Sequence, residues 1–212
     1  MLRNILNFLN RKRQNFTEDN ENSEKIQFNK NKFDIVILNN IPSGTHQAKG
    51  YYIVKQMSPK LFEEFKGDDY LSRCLISNEK LKKAEFSNIK KDKVYNIDKC
   101  NTNEYYLRKK LMTCIVCYAI LDILEKNLNY DVQINIQDNS KGKKNEYIQA
   151  YKHIFPSYLF EEKRKKFKAS SPDSLSGEII IHFPVSTREL DKKFYKNLYD
   201  ECENNLKLED DI

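Results

Sequence analysis

The run Leu111–Leu124, LMTCIVCYAILDIL, constrains the fold more than any other stretch of the chain. It is 14 residues long and carries one charge, Asp122. A helix that is apolar nearly all round has no face to give to water, so it must be covered on every side. A membrane span needs roughly 20 apolar residues, so a run this short reads as a buried core helix. The helix is predicted from about Thr102 to Asn127, capped by Asn101 or Thr102, with Asn101 and Glu104 at capping-box spacing. It is expected to be central, with a sheet on one face and helices on the other.

Strands surround this run. DIVILNNI (Asp34–Ile41) suits a buried strand and Tyr51–Met57 a second, with a loop at Pro42–Gly50. Ser58-Pro59 starts a short helix, with Ser as N-cap and Pro at its first position. Leu61, Phe62 and Phe65 form its apolar face, and Gly67 ends it. Leu71–Ile76 suits a short strand, Asn78–Phe86 a short Lys-rich helix, and Lys93–Asp98 a further short strand. DVQINIQ (Asp131–Gln137) alternates strictly, which marks a half-exposed strand. A helix is predicted from about Asn145, broken by Pro156 and resuming over Ser157–Phe167. Residues 169–177 read as a loop and EIIIHF (Glu178–Phe183) as a strand. Ser186 and Glu189 form a capping box for a last helix, whose apolar face is Leu190, Phe194, Leu198, Cys202 and Leu206, with Tyr195 and Tyr199 beside it. The class is α+β or irregular α/β: a mixed sheet of about 4–6 strands on the central helix, in a two- or three-layer sandwich.

Residues 1–32 are expected to be an extension of a single α+β domain spanning 33–212. Leu2, Ile5, Leu6 and Leu9 share a helical face, widened by Phe8 and followed by Arg11, Lys12 and Arg13. Such a basic amphipathic helix packs on its own domain, docks on a partner or membrane surface, or serves as an organelle presequence. Thr17–Lys32 is polar and without period, and reads as a linker. No secretory signal is visible. The five cysteines lack framework spacing, so reduced thiols in a cytoplasmic setting are expected, with an organelle or a viral assembly as alternatives.

The net charge is +6, from 37 basic and 31 acidic residues. The excess of Lys over Arg and the many Asn point to the codon bias of an AT-rich genome. Three basic groups would bind phosphates if they converged: Lys163, Arg164, Lys165, Lys166 and Lys168; Lys141, Lys143 and Lys144; Lys90, Lys91 and Lys93. No zinc-finger, RNP or KH signature accompanies them.

No catalytic, metal or cofactor constellation emerges. In Pro42–Gly50, Lys49 precedes Gly50 and a strand follows, so a β-hairpin loop fits better than a phosphate-binding loop. Cys114-Ile115-Val116-Cys117 is a CxxC inside an apolar helix with no partner motif, and reads as packing. His46, His153 and His182 are far apart in sequence, and His182 reads as a polar-face or satisfied core residue. Asp34, Asp131, Asp138 and Glu178 lie near strand ends, but the one Glu-x-Lys pair, Glu161 and Lys163, falls on a predicted helix. The expectation is a non-catalytic protein acting through protein–protein contacts, as an assembly subunit or an inhibitor or immunity-type binder. A nucleic-acid-associated protein is the alternative. An enzyme without a short motif is the third reading, and Asp34, His46 and Lys49 are its first candidates. The sequence names no small-molecule ligand.

Overall fold

A computed structural model describes residues 23–28, 32–78, 84–107, 109–138, 151–166 and 175–204. Its strands are β1 (Ser23–Phe28), β2 (Phe33–Ser43), β3 (His46–Lys55), β4 (Ser72–Ser77), β5 (Val94–Thr102), β6 (Val132–Asp138), β7 (Phe160–Lys166) and β8 (Leu175–Phe183). They hydrogen-bond in the order β1-β2-β3-β4-β5-β6-β8-β7, a mixed sheet of eight strands. The helices are α1 (Pro59–Glu64), α2 (Leu111–Lys126) and α3 (Arg188–Asn204), and residues 151–154 are also helical. The α+β class holds, and the sheet is larger than the 4–6 strands expected.

The two unexpected strands lie at the sheet's edges. SEKIQF, read as linker, becomes β1 by pairing antiparallel with β2, from Ser23 opposite Leu38 to Phe28 opposite Phe33. FEEKRKK, read as helix, becomes β7 by pairing antiparallel with β8. An edge strand satisfies its backbone on one side only, and charge along it deters pairing with other chains. Such strands need no apolar alternation, so the hydrophobic pattern does not announce them.

The described residues fall into two compact units. The first runs to Leu75 and includes 99–119 and 196 onward. Its β2 and β3 form the expected hairpin, but the strands run through most of the predicted loop Pro42–Gly50 and turn at Gly44-Thr45, with Gly44 at φ +62°. The Oγ of Ser58 accepts the amide hydrogen of Leu61 at 3.3 Å and so caps α1, but Leu61 itself is exposed. Tyr52 is the centre of a small core. Its ring meets Phe65 at 5.4 Å and Tyr70 at 6.1 Å, both edge-on. The same side chain lies over Gly50 and Gly67, where a Cβ would come within 2.5 Å of the ring and 2.8 Å of its hydroxyl.

The buried run is a helix, but it starts later than predicted. β5 continues to Thr102, whose hydroxyl lies 2.9 Å from that of Ser72 on β4. Asn103 then accepts the amide hydrogen of Tyr105 and caps only a single 3-10 turn. Lys110 sits at φ +59°, a left-handed conformation that a right-handed helix cannot pass through. Within α2, Cys114 to Ala119 are completely or almost completely buried, and Tyr118 packs on Tyr51 and Tyr199.

The second unit comprises Ile76–Asp98 and Ile120–Tyr195. Here β5 runs parallel to β6, and β6 and β7 run antiparallel to β8. The alternation of β6 is real, but its polar face is not exposed: Gln133 and Asn135 are buried. Gln133 donates to Asn135 at 2.8 Å, and Asn135 donates to Asn96 at 3.0 Å. The amide of Glu85 donates to the Gln133 carbonyl oxygen at 2.9 Å. The polar stripe is therefore a hydrogen-bonded ladder, which is how buried amides are tolerated. In the segment predicted as a helix, Asn78 and residues 84–86 are not helical, and the intervening residues lie outside the described ones.

The packing of Tyr52 yields a test. Gly50→Ala overpacks the ring and should cost about 1–3 kcal/mol. Gly67→Ala, at φ +91°, adds backbone strain to the same clash and should destabilise by at least a similar amount. Urea denaturation of both variants measures this; wild-type midpoints would contradict the packing.

Candidate interaction surface

Helix α3 carries the clearest departure from the expected pattern. Its predicted apolar face begins at Leu190, yet Leu190 is 67 % exposed. The buried positions are Arg188, Asp191, Lys192, Tyr195, Tyr199 and Cys202, with the three charged side chains only 2 %, 0 % and 0 % exposed. The expected capping box is also absent, because Ser186 lies in a 3-10 turn, Val185–Thr187, and the helix starts at Arg188. The first turn of α3 thus buries charge and shows leucine to solvent.

Each buried charge has partners in the second unit. The Arg188 guanidinium donates to the backbone oxygens of Asn127 and Tyr130, clamping the turn that leads from α2 to β6. Burial pulls its pKa down, opposed by Asp131, Asp191 and Glu189, but a guanidinium stays protonated throughout the working range. Asp191 accepts from the Tyr158 hydroxyl at 2.5 Å and from the Thr187 hydroxyl at 3.4 Å. Burial pushes its carboxyl above the ordinary 3.8, while those hydrogen bonds and Arg188 pull the other way. Burial and then the bond to Asp191 push the Tyr158 phenol up to about 12. Lys192 lies 3.5 Å from Glu125 and 3.4 Å from Glu189.

Asp131 ties the turn before β6 to the end of β8. Its Oδ1 accepts from the amide of Val185 at 3.0 Å, and its Oδ2 lies 2.8 Å from Nε2 of His182. Asn88 donates to the same oxygen, and Phe86 stacks on the His182 ring at 4.5 Å. The carboxylate is thereby engaged from three sides, the arrangement of a clamp. His182 is satisfied as expected, although its partner is a residue 51 positions away.

Around this polar frame lie exposed apolar side chains: Leu128, Tyr130, Tyr158, Val185 and Leu190. Lys90 and Lys93 approach the ring of Tyr130, with Nζ 4.3 and 5.0 Å from its centroid. The carbonyls of Asn127 and Tyr130, which flank Leu128, are held by the Arg188 clamp, the amide of Val185 by Asp131 and the hydroxyl of Tyr158 by Asp191. Tyr130, Tyr158 and Val185 are therefore anchored to the frame, while Leu190 projects from the opposite side of α3.

The other sequence candidates do not assemble. Asp34 is buried, accepts from the amide of Met57 at 2.9 Å and lies 3.7 Å from Lys25, a clamp between β1 and the exit of β3. Asp34 lies opposite Val54, so along β3 Lys49 is about 17 Å away and His46, at the turn end of the hairpin, about 26 Å away. Lys91 and Lys93 precede β5, whereas Lys163–Lys166 end β7. Since β5 and β7 run the same way, these two basic groups lie at opposite ends of the second unit's strands. Lys141, Lys143, Lys144 and Lys168, and the amphipathic segment from Leu2 to Arg13, lie outside the described residues. Glu161 and Lys163 are on a strand rather than a helix, but no group of three potential metal ligands occurs among the described residues. Cys114 and Cys117 are buried as expected, and Cys202 joins them: a hydrogen bond between Cys114 and Cys202 pushes the Cys114 thiol up and draws Cys202 down. Among the described residues, no helix is long and apolar enough to cross a membrane.

No protein-family model matches the chain, and no curated protein matches it.

Two outcomes follow from the frame. Arg188→Ala leaves two carbonyls without their donor and should cost about 2–4 kcal/mol, and Arg188→Lys should recover less than half, since one ammonium does not reproduce the guanidinium fork. Thermal and urea unfolding read both; an Arg188→Lys variant as stable as wild type would refute the bidentate clamp. Asp191 gives a pH signature. A carboxyl with a raised folded pKa holds its proton more tightly when folded, so its contribution is full at low pH and is lost as pH rises through the folded value. Asp191→Asn removes that loss. Its denaturation midpoint should gain on the wild type as pH rises above 3.8, and a difference flat in pH would contradict this.

Proposed function

We propose that the chain is a non-catalytic protein that acts through a protein–protein contact, made by the ridge Leu128, Tyr130, Tyr158, Val185 and Leu190. The observation that carries this reading is the inverted first turn of α3, with Arg188, Asp191 and Lys192 buried while Leu190 is exposed. A buried polar group is the informative departure from ordinary burial, and here three lie within one turn, beside the exposed apolar side chains. Aromatic residues are enriched in interface cores, and a rigid ridge loses little side-chain freedom on binding. Lys90 and Lys93 supply a polar rim beside Tyr130.

The nucleic-acid reading has less support, because the two described lysine groups do not converge. The layered arrangement belongs to the proposal: the sheet packs on α2, and the burial of Cys114 to Leu121 supports it. An intracellular, reducing setting belongs to it as well, and the five free thiols are compatible with that.

The test is capture of partners by the tagged chain from its native source, with and without nuclease, beside a Val185→Glu/Leu190→Glu variant. Both substituted side chains are exposed, so the variant should unfold at the wild-type temperature. A stoichiometric protein that survives nuclease and is lost with the variant is the expected result. Loss of every partner on nuclease treatment, or a partner indifferent to the variant, would overturn it.

A further inference from the structure

We propose that Cys74 and Cys100 form a peroxide-responsive thiol pair, which closes to a disulfide between β4 and β5. Their sulfurs lie 3.2 Å apart, with the Cys100 thiol donating to that of Cys74. A disulfide needs about 2.05 Å, so closing requires an approach of roughly 1 Å. The flanking pairs fix the register. Ser72 and Thr102 are bonded at 2.9 Å, and Arg73 donates from Nε to Asn101 at 2.8 Å. Partner numbers fall as strand numbers rise, the sense of an antiparallel pair, so the two sulfurs are held face to face.

Accessibility gives the two thiols different roles. Cys74 is fully buried, whereas Cys100 is half-buried. Cys114, Cys117 and Cys202 are all buried, so Cys100 is the thiol that a small oxidant meets first. The Cys100 thiolate attacks one oxygen of hydrogen peroxide, the O–O bond breaks, hydroxide leaves and a sulfenic acid forms. The sulfur of Cys74 then attacks that of Cys100, the S–O bond breaks, and water leaves with the Cys74 proton. In total two thiols lose two electrons and two protons, and one peroxide becomes two waters. The product encloses residues 75–99 in a covalent loop.

The experiment uses the full chain, titrated with hydrogen peroxide, alkylated, digested with trypsin without reductant and mapped by mass spectrometry. Trypsin cuts after Arg73 and Lys99, so the joined peptides begin at Cys74 and Cys100. The expected product is that pair minus two hydrogens, formed at low peroxide and reversed by dithiothreitol, with a reversible rise in thermal midpoint. In Cys100→Ser, Cys74 should stay fully alkylatable after peroxide treatment and unfolding. Cys100 passing to sulfinic acid while Cys74 stays a free thiol, or links only among Cys114, Cys117 and Cys202, would overturn the proposal. Both of those outcomes are read on the wild-type chain.

Discussion

A turn with two inward-pointing carbonyls needs donors, and one guanidinium provides them. Arg188 reaches the oxygens of Asn127 and Tyr130, where the chain leaves α2 for β6. Seating a guanidinium there sets further requirements. A buried cation has to be paired, so Asp131 and Asp191 lie close enough to act on its charge. A buried carboxylate has to be hydrogen-bonded, so Asp191 takes the hydroxyls of Tyr158 and Thr187. Asp131 in turn holds the Val185 amide and His182. The polar side of the first turn of α3 must then face inward, and Leu190, on the other side, has to face out. The exposure of Leu190 is a consequence of satisfying the turn.

This chain of requirements explains what sequence reading recovers. Alternation and apolar runs reveal β2, β3, β6 and β8, because those strands bury at least one apolar face. Ser58-Pro59 marks the start of α1, because capping is local chemistry within four residues. The length and composition of Leu111–Leu124 reveal a buried helix. Its start is missed because Lys110 takes a left-handed conformation, which no local residue pattern demands. Strand β7 is missed because its state depends on a partner, β8, that follows it by several residues in the chain.

The ridge was illegible for a related reason. A periodicity argument assumes that leucine faces in and that arginine, aspartate and lysine face out. In α3 that assumption fails by one helical position, since Tyr195, Tyr199 and Cys202 anchor the helix while Arg188 and Asp191 meet partners from distant segments. Those partners lie 58 to 61 residues away for Arg188 and 33 for Asp191. The polar residues of β6 are illegible for the same reason: Gln133 and Asn135 look solvent-facing until Asn96 and the amide of Glu85 are placed beside them. Fold class was legible and the surface was not, because apolar burial is local in its signature while polar burial is defined by its partners.

The central claim is that a buried polar frame holds an exposed apolar ridge rigid. Hydrogen–deuterium exchange of the free chain tests it most directly, read at the amides of Asn127, Tyr130 and Val185, which donate to Leu124, Asn127 and Asp131. The account predicts slow exchange there, comparable to the strands of the core, although the side chains of Leu128, Tyr130 and Val185 are exposed. Exchange at the rate of an open loop would contradict it, since a ridge that fluctuates freely is not held by Arg188 and Asp131.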